Sequence, residues 1–232
     1  MKPILFFLFC CFSMRAVAGD DSKLLIREIN KKFAQVNDYT ANVFMKFDIP
    51  GVKMNSLNGK VFFKSPNKFR IRTKGIFFLP KQNPLQNIST LLLDTSSYTS
   101  VISGYEILNG KNCAIVNIIP LTAKTELILG KFWIDTKNIL ILKSQITTKN
   151  NGTLETNSTY SSLSNYTLPD KLIIKVEIKK IKIPKMMSGD LNKIAKRNAY
   201  PNALETGTIE LVFSNYTINT KFPDTIFTEK GE

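Results

Sequence analysis

Lys60-Val61-Phe62-Phe63-Lys64-Ser65-Pro66-Asn67-Lys68-Phe69-Arg70-Ile71-Arg72-Thr73-Lys74 is the stretch that decides the fold. Its side chains alternate with a period of two, which is the spacing of a strand with unlike faces. From Lys68 to Lys74, Phe69, Ile71 and Thr73 fall on one face and Lys68, Arg70, Arg72 and Lys74 on the other. Four charges in a row mark a face that meets water, so the opposite face must be covered or must line something. From Lys60 to Lys64, Val61 and Phe63 oppose Lys60, Phe62 and Lys64. Pro66-Asn67 between the two runs is a turn signal, and the pair reads as a hairpin.

Working outward, the same period recurs. Tyr39 to Asp48 places Tyr39, Ala41, Val43, Met45 and Phe47 on one face. Further strands are predicted over Tyr105–Leu108, Asn112–Ile119, Thr125–Asp135, Ile139–Thr148, Gly152–Ser161, Lys171–Ile183 and Gly207–Thr217. Asn109-Gly110, Lys137-Asn138 and Asn151-Gly152 supply turn chemistry between them. Before this series the period is helical. Leu25, Ile29, Phe33 and Val36 form an apolar stripe over Asp20–Val36, with Asp20, Asp21 and Ser22 as capping residues at the start. Thr90–Val101 fits a short helix or a strand, and a short helix is expected at Gly189–Arg197.

One helix followed by about nine strands joined mainly by short turns predicts a mainly β fold built on one antiparallel sheet. A sheet of so many twisted strands curls. Curled, with one wet and one apolar face, it encloses an apolar volume. The irregular segments Gly75–Val101 and Pro184–Thr206 stand where lids would sit. Aromatic mass is concentrated at Phe44, Phe47, Phe62, Phe63, Phe69, Phe77, Phe78 and Trp133.

Residues 1–18 are read as a secretory signal. Met1 and Lys2 start it, an apolar run of about 11 residues from Ile4 to Met14 follows, and Ala16-Val17-Ala18 offers small residues for cleavage. A run that short does not span a bilayer, which takes roughly 20 residues. Residues 19–232 are expected to form a single domain. Cys113 is then the one cysteine left, and its strand Cys113-Ala114-Ile115-Val116 makes it a core residue.

The chain has no histidine, which excludes Ser-His-Asp and Cys-His catalysis and imidazole metal sites. Acids are sparse and scattered, and no glycine-rich phosphate loop occurs. No catalytic residue, cofactor or metal is expected. The net charge is +14, and +12 without Lys2 and Arg15, which favours anionic partners such as lipid head groups; export argues against nucleic acid.

The order of these elements resembles the LolA-like family of periplasmic lipoprotein carriers. Asp38-Tyr39-Thr40-Ala41, then Leu57-Asn58-Gly59-Lys60-Val61-Phe62-Phe63-Lys64-Ser65-Pro66-Asn67-Lys68-Phe69-Arg70-Ile71, is similar to the family's Tyr-x-Ala, Gly-x-hydrophobic and Lys-x-Pro-x-x-Phe-Arg series. Phe132-Trp133-Ile134-Asp135 resembles its Trp-Ile-Asp strand. Gly207–Asn219, with Pro223-Asp224 and Phe227 beyond, resembles its closing strand. The resemblance implies an unclosed antiparallel β-barrel with an N-terminal helix and lid segments over a hydrophobic cavity. It implies a monomeric carrier that takes a lipoprotein's acyl chains from an inner-membrane transporter to an outer-membrane receptor. Stress sensors and carriers of other envelope lipids share that fold. The residues expected to line the cavity are Val43, Met45, Phe47, Val61, Phe63, Phe69, Ile71, Phe77, Phe78, Leu92 and Trp133. Ser65 stands before Pro66, where known carriers have an Arg that latches the lid.

Overall fold

A computed structural model describes residues 18–50, 54–74, 84–150, 152–177 and 206–228. The described chain starts with helix α1 (Ala18–Phe33) and continues into strands β1 (Asp38–Asp48), β2 (Leu57–Lys64) and β3 (Lys68–Thr73). Helix α2 (Pro84–Leu93) precedes β4 (Tyr98–Leu108), β5 (Lys111–Pro120), β6 (Leu127–Asp135), β7 (Leu140–Thr148) and β8 (Gly152–Thr159). A 3-10 turn (Ser164–Tyr166), β9 (Lys171–Glu177), β10 (Thr206–Ile218) and a one-turn helix α3 (Thr225–Thr228) complete it.

Ten strands form one sheet in the order β3-β2-β1-β10-β9-β8-β7-β6-β5-β4. Every pairing is antiparallel. β3 and β4 are the two edges, so the sheet is not closed. It is strongly curled nonetheless. Phe63 on β2 and Leu93 just before β4 line one cleft. β2 and β4 stand eight places apart in the sheet order, and a flat sheet would separate them by about 38 Å at ~4.8 Å per strand.

Turn residues meet the geometry asked of them. Asn109 (φ 50°) and Gly110 (φ 73°) both take positive φ in the two-residue loop from β4 to β5, as a type I′ turn requires. At the β6–β7 turn, Asp135 Oδ1 accepts hydrogen bonds from the backbone N–H of Lys137 (2.9 Å) and Asn138 (3.1 Å). Cys113 is fully buried among Trp133, Leu140 and Leu142, which fits its reading as a core residue. Burial, and then the charge of Asp135, push its thiol pKa up.

Several expectations need correction. Ten strands occur among the described residues, one for each run read from the sequence, and the change lies in their bounds: Thr90–Val101 divides between α2 and β4, and β4 runs on unbroken through Tyr105–Leu108. Ser22 does not cap a helix start. The helix already begins at Ala18, and Ser22 sits inside it, fully buried, donating to the Ser100 carbonyl of edge strand β4 (3.1 Å). The basic face of β2–β3 is also not wholly wet. The tail folds back over it: Phe222 meets Phe62 edge-on (5.9 Å), Asp224 pairs with Lys64 and Lys68 (2.5 Å each), and Arg70 donates to the Ile226 carbonyl (2.8 Å). The expected helix at Gly189–Arg197 and the signal segment before Ala18 lie outside the described residues.

Candidate functional site

Alternation along each strand sends one set of side chains to the inside of the curl. On β1 this set is Tyr39, Ala41, Val43 and Met45, all buried, with Phe47 half-buried at the strand's end. On β2 it is Val61 and Phe63, and on β3 Phe69 and Ile71, paired rung by rung: Val61 with Ile71 and Phe63 with Phe69. Leu172 and Ile174 of β9 and Ile209, Leu211 and Phe213 of β10 join the same cluster. Seven of the eleven residues expected at the site therefore meet here. Val43, Met45 and Val61 are its floor, fully buried. Phe47, Phe63, Phe69 and Ile71 are only partly buried. That leaves apolar surface on the inner face still open, at a cost of roughly 25 cal/mol per Å² unless something apolar covers it.

Leu92 occupies a neighbouring cluster. It is fully buried under α1 with Ile26, Ile29, Val116, Ile118, Phe132 and Ile134. The Leu92 carbonyl accepts from Asn30 Nδ2 (2.7 Å) and from the Tyr98 hydroxyl (2.9 Å), which ties α2 to both α1 and β4. Trp133 is placed elsewhere, and its assignment is corrected. On β6, Gly130, Phe132 and Ile134 point under α1, so Trp133 faces outward. Its indole lies between Lys131 Nζ (4.6 Å) and Lys143 Nζ (4.7 Å) and donates from Nε1 to Glu106 (2.6 Å). Strand period required Phe132 and Trp133 to part, and the signal that was passed over is local: Lys131 and Asp135 share the face of Trp133, which leaves Gly130, Phe132 and Ile134 as the uncharged inner set. Phe44 and Phe62 likewise point outward. Phe77 and Phe78 lie outside the described residues.

At the seam between the two clusters is a cleft of about 70 Å³. Phe33 at the end of α1, Val36 in the segment after it, Tyr39, Phe63, Leu93 from α2 and Leu168 supply its apolar walls. Tyr39 stacks on Phe63 (5.1 Å, 25°) and leans on Tyr216 (5.5 Å). Tyr166, Leu168 and Tyr216 were missed from sequence because they follow irregular segments or sit at a strand's last turn, where no period marks a face. Ser65 and Pro66 line this cleft as well.

Among the described residues the site holds no acid–base pair. Its ionisable groups are tyrosines kept neutral: burial pushes the hydroxyls of Tyr39 and Tyr216 up, and Tyr216 donates to the Pro169 carbonyl (2.8 Å). Among the described residues no cluster of His, Cys, Asp or Glu has the makings of a metal site. Among them, too, no helix is long and apolar enough to cross a membrane. The arrangement can hold apolar matter.

No protein-family model and no curated protein sequence matches the chain. Solved structures do. A DUF1329 family protein from Desulfovibrio piger superposes with a TM-score of 0.57 at 12% identity, covering 90% of this chain and 97% of that one. A LolA superfamily protein from Nitrosomonas europaea gives 0.55 at 10% identity, over 92% and 99% of the two chains. A domain named for outer membrane lipoprotein sorting, from Vibrio parahaemolyticus, gives 0.56 at 10% identity, over 90% and 97%. At such identities the likeness is one of backbone, and it agrees with the motifs spread along β1–β3, β6 and β10: this chain has the LolA-like fold.

Proposed function

We propose that the protein is a periplasmic carrier that binds acyl chains of lipoproteins on the inner face of its curled sheet and conveys them from inner to outer membrane. The observation that carries this reading is the half-covered row Phe47, Phe63, Phe69 and Ile71, which continues a fully buried apolar floor. An acyl chain laid along it gains about 0.8 kcal/mol per buried methylene without any catalytic group. A carrier must also let go. A row that is partly buried before the ligand arrives limits the gain, and helices that rest on an unclosed sheet rather than within it can shift to open the site. Among the described residues the site is lined by apolar and neutral side chains, which supports binding rather than bond chemistry. The fold shared with the lipoprotein-sorting domain supports the lipoprotein cargo, and the partners that follow are an inner-membrane transporter and an outer-membrane receptor.

The test is native mass spectrometry, with organic extraction, of the protein recovered from a diderm host's periplasm. Co-purifying acylated lipid or lipoprotein is expected, and it is lost in Phe69→Asp. A protein that emerges empty and takes up no added diacyl ligand refutes the reading. A bound lipid without a protein moiety keeps the cavity and replaces the cargo by another envelope lipid.

A further inference from the structure

Strand β4 is an edge of the sheet, and its two halves differ. The first half is guarded by α1, where Ser22 donates to the Ser100 carbonyl (3.1 Å). The second half, Ser103–Leu108, is laid open, with Tyr105 61% and Ile107 74% exposed. An open strand edge is a template for another strand, and folded proteins blunt it with lysine, proline or a covering element. The opposite edge, β3, follows that rule: Lys68, Arg70 and Arg72 stand along it, and Arg70 donates to the Ile226 carbonyl of the tail (2.8 Å). Ser103–Leu108 contains no lysine, arginine or proline. Its one charge, Glu106, accepts from Trp133 Nε1 on the outer face (2.6 Å).

The backbone there is set for pairing. Across the two-residue loop Asn109-Gly110, Leu108 and Lys111 are the closing hydrogen-bonded pair. Bonded and non-bonded pairs alternate along an antiparallel ladder. Gly104 and Glu106 therefore turn their N–H and C=O groups to β5, and Tyr105 and Ile107 turn theirs to the open edge. The register shift between Ile102 and Gly104 carries the same edge on to Ser100, whose carbonyl takes the Ser22 hydroxyl. Outward backbone donors and acceptors and exposed apolar side chains thus recur at alternate positions of one run, the pattern by which a sheet edge accepts an added strand.

The charge of the chain bears on which strand that is. A second copy would bring the same net charge of +14, and the register that pairs Tyr105 with Ile107 across a two-fold axis also sets Glu106 against its own copy. The same charge draws in an acidic partner. We propose that Ser103–Leu108 is a docking edge to which an extended segment of an acidic partner protein adds as a further strand, its apolar residues opposite Tyr105 and Ile107. The inference stands whatever the interior of the curl holds.

The experiment is an anisotropy titration of the purified protein with a fluorescein-labelled decapeptide that alternates Val with Glu and Thr. The same peptide N-methylated on its valines keeps the side chains and the charge and lacks the donors that meet the edge. The first peptide is expected to bind, and the methylated one about tenfold more weakly. Ile107→Pro removes an outward donor without touching a bond to β5 and lowers binding about tenfold. Ile107→Thr keeps the donor and the strand preference and lowers it roughly threefold through the lost apolar pair. An unchanged melting temperature shows that each variant is folded. Amide exchange read by NMR is expected to be fast at Tyr105 and Ile107 in the free protein and slow in the complex. Slow exchange at both in the free protein overturns the proposal, because the edge is then already covered by the chain's own backbone. So does absence of binding, or equal binding of the methylated peptide. A dimer in sedimentation velocity that Ile107→Pro dissolves assigns the edge to a second copy and overturns the acidic partner.

Discussion

Phe62 and Phe63 are neighbours in sequence that face opposite ways, and replacing each by alanine separates holding a ligand from holding the fold. Phe62 is buried on the outer face, against Phe222 and between Lys60 and Arg72. Phe63 is half-buried on the inner face, stacked on Tyr39 at 5.1 Å and lining the cleft. Removing a fully buried Phe costs ~3–5 kcal/mol, so Phe62→Ala is expected to cost about 3 kcal/mol. Phe63 has one side open, which halves the burial loss, and it forfeits a ring pair of ~1 kcal/mol; Phe63→Ala is expected to cost about 2 kcal/mol. For a domain of this size that lowers Tm by about 4–8 °C. Uptake of a fluorescent diacyl lipid runs the other way. Loss of ~40 Å² of ring contact at ~25 cal/mol per Å² removes about 1 kcal/mol, so Phe63→Ala binds roughly fivefold more weakly. Phe62→Ala, although less stable, binds normally at temperatures where it stays folded. The assays are urea denaturation and lipid titration on the same samples. If both variants lose uptake alike, or if Phe63→Ala keeps it, the inner face of β2 is not where lipid lies.

Acid stability reports on Glu155. Burial alone would raise its pKa, but hydrogen bonds from Lys175, Gln145 and Asn157 and the charge of Lys143 outweigh it and hold it at about 2, against an ordinary 4.5. A folded-state value below the unfolded one gives stability that is fully present above the unfolded value and is lost as pH falls from 4.5 towards 2. Glu155→Gln therefore flattens that part of the stability–pH curve, as chemical denaturation across the range will register. Ser22→Ala leaves the Ser100 oxygens without their buried partner and is expected to cost about 1–2 kcal/mol, with amide exchange rising first in α1. Gly130→Ala puts a methyl 2.9 Å from Cε2 of Phe132, which is fully buried and has nowhere to go; a loss of about 1–3 kcal/mol on thermal unfolding is expected, without loss of the outer-face Trp133 environment in fluorescence.

Much of the sheet was legible because its signals are local. Lys68–Thr73 alternates cleanly in residue type, and Val43, Met45, Val61, Phe63, Phe69 and Ile71 met on one face as alternation required; Arg70 departs from the burial pattern because the tail covers it. The turn at Asn109-Gly110 was readable for a similar reason, since two consecutive positive φ values favour that dipeptide. Thr90–Val101 was ambiguous because it is not one element: its Leu91-Leu92-Leu93 run ends α2 and its Tyr98 begins β4.

By itself the sequence determined a mainly β chain with a leading helix, the strand periods, the hairpin turns, and an inner face of Val, Met and Phe set against a basic outer one. Each of these follows from φ/ψ preference and the two-residue repeat, which act over a few residues. Only the tertiary structure decided that β10 returns to lie between β1 and β9, that the chain passes from edge β3 to edge β4 through α2, and that the tail lays Asp224 across Lys64 and Lys68. The outward direction of Trp133 was legible by contrast, since Lys131 and Asp135 share its face of β6 by the two-residue repeat and Phe132 and Ile134 do not. The β1–β10 pairing and the Asp224 bridge join residues more than a hundred positions apart, and such choices rest on which surfaces fill one another's volume once the sheet curls, a quantity that no window of sequence contains.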